Sequence, residues 1–278
     1  MIYPNSLFIL KVSRIIQKLE RELNVSLFIR KTSGMEPTKA GDNLYDRGKA
    51  IMRQLNEVVS DLQVSSKPVV KVPCTCGFMR SATIKLARDF HIEYPDIELR
   101  LYERVDTVIS RQLLDEEVEV AILSGPVDPT KFTSTPLTKC PMCVVVNKTH
   151  PFARFDSISL FELRNEPLII TSGNDFNSYQ NRFRVLTQVG INLNYVFESL
   201  DIEYPIIAAN DNMGVGITPY DSCLTKQNYP DIKILHLKDT DHSWIYSWET
   251  VLACKKGRQL SLQAKAFSNF LSDWIKQI

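Results

Sequence analysis

The sequence predicts an α/β protein with a small helical unit at its N-terminus and a larger body in which strands and helices alternate. Three observations predict this fold class. Apolar residues repeat at helical spacing in two stretches before position 65. Beyond position 67 the apolar period switches repeatedly between that of a strand and that of a helix. Between these regions, Ser65, Ser66, Lys67 and Pro68 form a short polar linker that ends in a proline.

Composition and charge narrow the function classes. The chain has 278 residues, of which 44% are hydrophobic and 23% charged, so it can bury a substantial core. Its net charge of +1 excludes a strongly basic nucleic-acid coat. Residues 1–66 carry ten Lys or Arg against seven Asp or Glu (+3), and the remaining residues carry 23 against 25 (−2). A mildly basic N-terminal unit followed by a mildly acidic larger unit is typical of a small DNA-binding unit joined to a ligand-sensing domain.

Two helices are predicted in the N-terminal unit. The first covers residues 12–23, where apolar residues recur at helical spacing and basic residues take the other face. A turn with basic residues at its root follows, and Thr38 is predicted to cap a second helix over residues 39–64. That helix is too long to be stable alone, so we expect it to pair with a second subunit. The stripe predicted to be buried in this pairing consists of Leu44, Ile51, Leu55 and Leu62.

The body is predicted to contain parallel sheets with covered faces, because its strands alternate with helices at short spacing. The predicted strands are residues 69–73, 97–102, 118–123, 142–146, 168–170, 194–198, 215–218 and 248–254. The predicted helices are residues 79–91, 105–114, 176–189, 202–210 and 260–275.

Two stretches of the sequence have the order and spacing of motifs found in a known family. The first is SRIIQKLERELNVSLF at residues 13–28, followed by Arg30 and by TKAG at residues 38–41. The second comprises HPFA at 150–153, EPLI at 166–169 and GVGI within residues 208–219. The first stretch resembles the recognition helix, wing and linker-helix start of LysR-type transcriptional regulators. The second resembles their periplasmic-binding-protein-like effector domain.

The resemblance implies a domain plan and a function. Residues 1–37 would form a partial winged helix-turn-helix and residues 38–66 a linker and dimerisation helix. Residues 67–278 would form a two-lobed effector-binding domain resembling type 2 periplasmic binding proteins, with lobe I at about 67–142 and 249–278 and lobe II at about 143–248. The implied protein is a homodimer or homotetramer that binds promoter DNA and responds to a small molecule held between the lobes.

The sequence departs from the family pattern at its beginning. In the family, two helices precede the residue pair that corresponds to Ser13 and Arg14. Here 12 residues precede Ser13, and residues 1–11 resemble neither helix. Further wing arginines of the family are replaced by Ser33 and Glu36. The alternative function is therefore that of a truncated effector-binding and oligomerisation module with impaired or no DNA binding.

The resemblance places candidate DNA contacts on the first helix and at the root of the wing. Arg14 can bind guanine through two hydrogen bonds, and Gln17 can read adenine. Arg30 and Lys31 can neutralise phosphates. The competing interpretation is a solvated basic helix face. The full set of candidates is Ser13, Arg14, Gln17, Lys18, Arg30 and Lys31.

The effector-binding candidates follow from a rule of α/β folds: ligands lie beyond the carboxyl ends of parallel strands, and between the lobes of two-lobed proteins. Backbone N–H groups at helix N-termini favour an anion, whereas Glu103 disfavours a highly anionic effector. The competing interpretation of these polar residues is helix capping. The candidates are Thr75, Cys76, Glu103, Ser124, Thr171, Ser172, Asp201 and Thr218, with Gly77, Gly125 and Asn174 beside them. Four of them are expected to converge on one pocket: Glu103, Ser172, Asp201 and Thr218.

The cysteines and histidines predict neither a metal site nor catalysis. Cys140 and Cys143 form a CxxC pair, and Cys74 and Cys76 a CxC pair. Each pair adjoins a predicted strand, which favours buried, inert thiols over a zinc or redox centre. The four histidines lack metal-ligand spacing, and no Ser/His/Asp arrangement is found. We therefore expect a protein that is not an enzyme and has no cofactor.

The sequence also predicts where the protein resides. It contains no export signal and no run of about 18–20 apolar residues, which predicts a cytoplasmic protein without a membrane span. The six cysteines are expected to remain reduced thiols in that compartment. The absence of an export signal also disfavours a transport binding protein on the same two-lobed fold.

Overall fold

A computed structural model of the chain describes residues 4–31, 34–62, 67–78, 83–171, 194–238 and 247–277. The chain forms two compact units, Met1–Ser66 and Lys67–Ile278. The first unit contains helix α1 (Pro4–Leu23), strands β1 (Phe28–Lys31) and β2 (Gly34–Pro37), and helix α2 (Lys39–Leu62). Strands β1 and β2 form an antiparallel hairpin at the predicted wing.

Contacts around the start of α2 give the TKAG motif a structural role. Glu20 of α1 accepts the backbone N–H groups of Leu27 (2.7 Å) and Phe28 (3.1 Å), which fixes the chain as it enters β1. Thr38 caps α2, as predicted, because its Oγ1 accepts the N–H of Gly41 at 3.0 Å. A Cβ at position 41 would clash with the carbonyl of Leu27, so glycine allows α2 to lie close to this segment.

Helix α1 is longer than the sequence analysis predicts. It begins at Pro4 rather than at residue 12 and continues to Leu23. Proline is tolerated at the first helical position because its missing N–H would have no partner there. No further proline or glycine occurs before Leu23, so nothing in the sequence breaks the helix. The segment before Ser13 is therefore continuous with the predicted recognition helix.

The second unit is built on a ten-stranded sheet. Its strands are β3 (Val69–Thr75), β4 (Glu98–Arg104), β5 (Ala121–Ser124), β6 (Phe132–Asn147), β7 (Ser157–Ile158), β8 (Leu168–Thr171), β9 (Tyr195–Ser199), β10 (Val215–Pro219), β11 (Ile232–Leu237) and β12 (Ser247–Lys255). The α-helices described in this unit are α3 (Thr83–Glu93), α4 (Asp106–Leu114), α5 (Tyr204–Asn210) and α6 (Leu262–Trp274). Short 3-10 helices lie at Pro151–Arg154, Glu162–Asn165, Tyr220–Asn228 and Ile275–Gln277.

The long strand β6 belongs to two lobes. Its residues 132–141 pair with β12, and the strand order β4-β3-β5-β12-β6 defines the first lobe. Its residues 142–147 pair with β10 and β11, and the order β6-β10-β8-β9, with β11 and β7, defines the second lobe. Strands β3, β4 and β5 are parallel, as are β8, β9 and β10.

The prediction of parallel sheets is correct for only part of each lobe, because the sheet is mixed. Strands β6 and β12 are antiparallel to each other, β12 is antiparallel to β5, and β6 is antiparallel to β10 and β11. The reason is topological, because the chain leaves the first lobe along β6 and returns along β12 in the opposite direction. The part of β6 before residue 142 was not predicted as a strand; it contains Pro136 and Pro141, and proline usually argues against a strand interior. Strands β7 and β11 were also not predicted, and the predicted helix 176–189 lies outside the described residues.

Both faces of the sheet are covered in each lobe, as predicted. In the first lobe, Phe90 of α3 and Phe267 of α6 pack on one face and Ile109 of α4 packs on the other. In the second lobe, Leu163 packs on one face and Ile206 of α5 on the other. All five side chains are fully buried, and each burial contributes about 1.5–3 kcal/mol to folding. Among the described helices, none has the length and apolar character needed to cross a membrane.

Candidate effector pocket and DNA-facing helix

A pocket of about 310 Å³ lies between the two lobes of the second unit. The first lobe contributes the turn after β3 and a residue of β4, and the second lobe contributes the turn between β9 and α5. This is the edge at which parallel strands β3, β4, β8 and β9 end, where α/β folds place their ligands. The lining residues are Cys76, Gly77, Glu103, Leu200, Asp201 and Ile202.

The first-lobe wall of the pocket is held by Gly77 and Glu103. The N–H of Gly77 donates to Oε1 of Glu103 at 3.1 Å, which joins the turn after β3 to β4. Gly77 has a φ of 80°, in the left-handed region that favours glycine. A Cβ at this position would lie 2.6 Å from Cδ1 of Ile202, so glycine lets the two lobes meet here.

The second-lobe wall is a tight turn around Asp201. The N–H of Asp201 donates to Oγ of Ser199 at 3.0 Å, and Oδ1 of Asp201 accepts the N–H of Glu203 at 2.9 Å. The next residue, Ile202, has its carbonyl held by Oγ1 of Thr218, which donates at 3.0 Å. Asp201 is exposed and lines the pocket, whereas Thr218 is fully buried and its hydroxyl supports the wall.

Behind the first-lobe wall lies a buried hydrogen-bond network. The hydroxyls of Thr75, at the end of β3, and Ser124, at the end of β5, are 3.1 Å apart. Ser124 Oγ also accepts the indole N–H of Trp248 at 3.1 Å, and the Ser124 N–H donates to Oδ1 of Asp106 at 3.1 Å. Thr75, Ser124 and Asp106 are completely buried. The network ties three strands and α4 together next to the pocket.

The structure brings only part of the predicted effector set together. Cys76, Gly77, Glu103 and Asp201 line the pocket, whereas Thr75, Ser124 and Thr218 are buried behind it. The side chain of Thr171, together with Ser172 and Asn174, lies outside the described residues. The sequence pattern does not single out Leu200 or Ile202 as pocket residues. It predicts Ile202 in the first turn of a helix, and that helix begins two residues later, at Tyr204.

Burial keeps three thiols of the CxC and CxxC pairs, those of Cys74, Cys76 and Cys140, protonated at neutral pH. Burial raises the pKa of Cys76, and the carboxylates of Glu103 and Asp106 reinforce the effect. Burial likewise raises the pKa of Cys74 and of Cys140 to about 12 each. Such groups are poor nucleophiles, which agrees with the interpretation of Cys74, Cys76 and Cys140 as inert. Within the described ranges, no group of three or more His, Cys, Asp or Glu side chains could hold a metal ion.

Helix α1 presents the predicted base-reading residues on one side. Arg14, Gln17 and Lys18 are exposed and Ser13 is half-buried. Their spacing of three or four positions places them on one face of the helix. Lys18 also lies 3.7 Å from Glu22 in an exposed ion pair. The face therefore carries both hydrogen-bonding and cationic groups.

The wing is less basic than its sequence suggests. Lys31 forms an ion pair with Glu36 across the hairpin at 2.5 Å. Glu36 is one of the residues that replaces a family arginine, so this departure reduces the positive charge available for phosphate. The side chain of Arg30 lies outside the described residues.

Helix α2 carries the stripe that was predicted to be buried against a second subunit. In the single chain Ile51 is 64% exposed and Leu55 is 52% exposed. Leu44 is half-buried, and the side chain of Leu62 lies outside the described residues. The side chains of Ile51 and Leu55 are therefore accessible to another protein surface in the single chain.

Comparison with known proteins agrees with this organisation. The family model for the LysR substrate binding domain matches residues 65–276, and the model for the bacterial regulatory helix-turn-helix protein of the lysR family matches residues 10–42. The chain belongs to the LysR family of transcriptional regulators. It is a regulator with an effector-binding domain and not an enzyme, as predicted. Regulators of this family bind DNA and small-molecule effectors and are oligomeric.

Similar proteins include two regulators of Bacillus subtilis (strain 168). The uncharacterized HTH-type transcriptional regulator YvbU is 28% identical over 216 residues, covering 74% of this chain and 70% of YvbU. The HTH-type transcriptional regulator AlsR is 24% identical over 212 residues, covering 74% and 69%.

Solved structures of the family share the fold. The effector binding domain of QuiR in complex with shikimate has a TM-score of 0.66 at 21% identity and covers 76% of this chain and 99% of that domain. A full-length BenM variant has a TM-score of 0.65 at 15% identity and covers 96% and 87%.

Proposed function

We propose that this regulator controls transcription in the cytoplasm by binding promoter DNA through α1 and the wing while a small-molecule effector occupies the pocket between the lobes. The observation that carries the proposal is the pocket itself, because residues from three separate chain segments converge there. Its volume of about 310 Å³ suits a small metabolite rather than a polymer.

The described lining favours an effector that offers hydrogen-bond donors. The two charged side chains among the described lining residues, Glu103 and Asp201, are both carboxylates and are both exposed. Carboxylates accept hydrogen bonds and repel anions. We therefore expect a neutral or cationic ligand here, such as a polyol or a primary amine. This expectation contrasts with the effector domains of QuiR and BenM, which are described with shikimate and benzoate, both carboxylates.

Thermal unfolding of the full chain tests the pocket. Shikimate and benzoate are compared with neutral polyols and primary amines of similar size. A ligand at 100 times its Kd should raise the free energy of unfolding by about 2.7 kcal/mol. Glu103→Gln should weaken that stabilisation, whereas Glu98→Gln, at the other end of β4, should leave it unchanged. Stabilisation by shikimate that survives Glu103→Gln would refute the donor preference.

DNA binding is tested with Arg14→Ala. Because Arg14 is exposed on the same face as Gln17, its loss should weaken binding to the protein's own promoter by about 1–3 kcal/mol. The control Arg100→Ala removes the same charge from the second unit and should have no effect. Equal affinities of the two variants would show that α1 does not read DNA.

The second candidate function is that of an effector-binding and oligomerisation module with little DNA binding. The continuity of α1 from Pro4 favours it, because the helix runs through the position at which a recognition helix would begin.

Oligomerisation through α2 is tested with Leu55→Lys. This substitution should dissociate the oligomer, since it places a charge in the apolar stripe, at a cost of several kcal/mol. Asp46→Lys, on the opposite side of α2 from Leu55, should leave the oligomer intact. Light scattering measures the oligomeric state of the two variants. An intact oligomer in both would exclude pairing through this stripe.

A further inference from the structure

Two cysteines of the second lobe are in direct contact although they are far apart in the sequence. Cys143 lies on β6, and Cys223 lies in the 3-10 helix Tyr220–Asn228. Their sulfur atoms are 3.6 Å apart, and the residues are 1% and 3% exposed. Cys143 Sγ also donates to the carbonyl of Thr218 at 3.5 Å. The proposed pocket uses neither thiol.

The geometry separates this pair from the CxxC motif in the sequence. Cys140 and Cys143 are three residues apart on one strand, so their Cα atoms are separated by about 10 Å, which is too far for a disulfide. Cys140 instead accepts the N–H of Asp221 at 3.4 Å. Cys143 and Cys223 need their sulfur atoms to approach by only about 1.5 Å to reach bonding distance. One partner is on the central strand β6 and the other on a short 3-10 helix.

We propose that Cys143 and Cys223 form an oxidation site at which a hydroperoxide converts the two thiols into a disulfide. The Cys223 thiolate attacks the terminal oxygen of the hydroperoxide, whose O–O bond breaks to give a sulfenic acid and an alcohol, or water from hydrogen peroxide. Cys143 then attacks the sulfenic sulfur, and the S–S bond forms as water leaves with the Cys143 proton. Two thiols lose two electrons, and the hydroperoxide gains them.

The hydrogen bond between the two thiols assigns their roles. When Cys223 is ionised, the single S–H of Cys143 turns from the Thr218 carbonyl to the Cys223 thiolate. This hydrogen bond lowers the pKa of Cys223 and raises the pKa of Cys143, which burial raises further. Cys223 is therefore the attacking residue and Cys143 the resolving one. Because both thiols are almost completely buried, the proposed oxidant is a small uncharged hydroperoxide rather than a bulky, charged disulfide such as oxidised glutathione.

Hydrogen peroxide is the probe for the test. The reduced full chain is oxidised, the remaining thiols are alkylated in denaturant, and the peptides are analysed by mass spectrometry. The Cys143 and Cys223 peptides should appear joined, with the loss of two hydrogen atoms, and dithiothreitol should separate them. Cys143→Ser and Cys223→Ser should each abolish the joined peptide. Cys254→Ser, the matched control, should form it in wild-type yield.

Several outcomes would overturn the proposal. Alkylation of both Cys143 and Cys223 after other cysteines have been oxidised would exclude the site, as would a disulfide between Cys140 and Cys143. Protection of both thiols without the loss of two hydrogen atoms would indicate a soft metal ion instead. Equal rates with hydrogen peroxide and oxidised glutathione would refute the assigned oxidant. The wild-type peptide map is decisive even if a serine variant fails to fold.

Discussion

The two lobes support the same pocket in different ways. In the first lobe, the hydroxyls of Thr75 and Ser124 and the indole of Trp248 form a buried network behind the wall. In the second lobe, the buried hydroxyl of Thr218 holds the Ile202 carbonyl from behind, and the side chains of Ser199, Asp201 and Tyr229 form hydrogen bonds within or beside the turn itself. The first wall is tied to several strands at once, whereas the described side-chain bonds of the second are concentrated at one short turn. The comparison teaches that the lobes differ in where the side chains that fix the ligand-facing residues are located.

The first lobe also shows that neighbouring residues at the carboxyl end of one strand can have two different roles. Thr75 and Cys76 are neighbours at the end of β3, yet Thr75 is completely buried in the network and Cys76 lines the pocket. Polar residues at the carboxyl ends of strands therefore include both supports and ligand-facing groups. A fully buried hydroxyl is bonded to its protein neighbours and is shielded from a ligand in the pocket.

The largest expected effect concerns the point where the lobes meet. Gly77→Ala forces a side chain into the left-handed region, which costs about 1–2 kcal/mol, and pushes its Cβ against Ile202, which adds about 1–3 kcal/mol. The total loss of unfolding free energy, measured by urea denaturation, should therefore be about 2–5 kcal/mol.

The chain offers a matched control for this experiment. Gly257 has a φ of 77°, but a Cβ there would meet nothing within 4 Å. Gly257→Ala should therefore cost only the backbone strain, about 1–2 kcal/mol. Ile202→Ala in the Gly77→Ala background should recover part of the additional loss. If the two glycine variants lose the same free energy of unfolding, the contact between the lobes at Gly77 does not contribute to stability.

The sequence contained enough information for the fold but not for all of the site. Apolar periodicity located most strands, and the short polar linker before Val69 marked the boundary of the second unit. The first half of β6 was missed because Pro136 and Pro141 argue against a strand, although the pairing with β12 overrides that preference. Thr218 is predicted to face the ligand because it lies at the carboxyl end of a strand. Its burial depends on contacts across the fold, which one sequence does not display. The pairing of Cys143 with Cys223 was missed for the same reason.

A smaller effect is expected from breaking the first-lobe network. Ser124→Ala leaves the Thr75 hydroxyl and the Trp248 N–H without this partner, which should cost about 1–3 kcal/mol of unfolding free energy. Ser272→Ala is the control, since its hydroxyl donates only to a carbonyl within α6 and should cost less. Equal losses in the two variants would mean that the first wall does not depend on the network.

The smallest effect is expected from the Thr218 bond behind the second-lobe wall. Thr218→Val keeps the shape of the side chain but removes the hydrogen bond to the Ile202 carbonyl, at a cost of about 1 kcal/mol. Thr218→Ser keeps the hydroxyl and loses a buried methyl group, so it separates the bond from the packing.

Hydrogen exchange provides the sharper measurement, because the bond holds a pocket residue. Peptides covering residues 200–206 should exchange faster in Thr218→Val than in Thr218→Ser, since only the valine variant releases the Ile202 carbonyl. Ser124→Ala should leave exchange in these peptides unchanged, because its network lies in the first lobe. Faster exchange at residues 200–206 in Ser124→Ala would show that the two walls behave as one cooperative unit and would remove the distinction between the lobes.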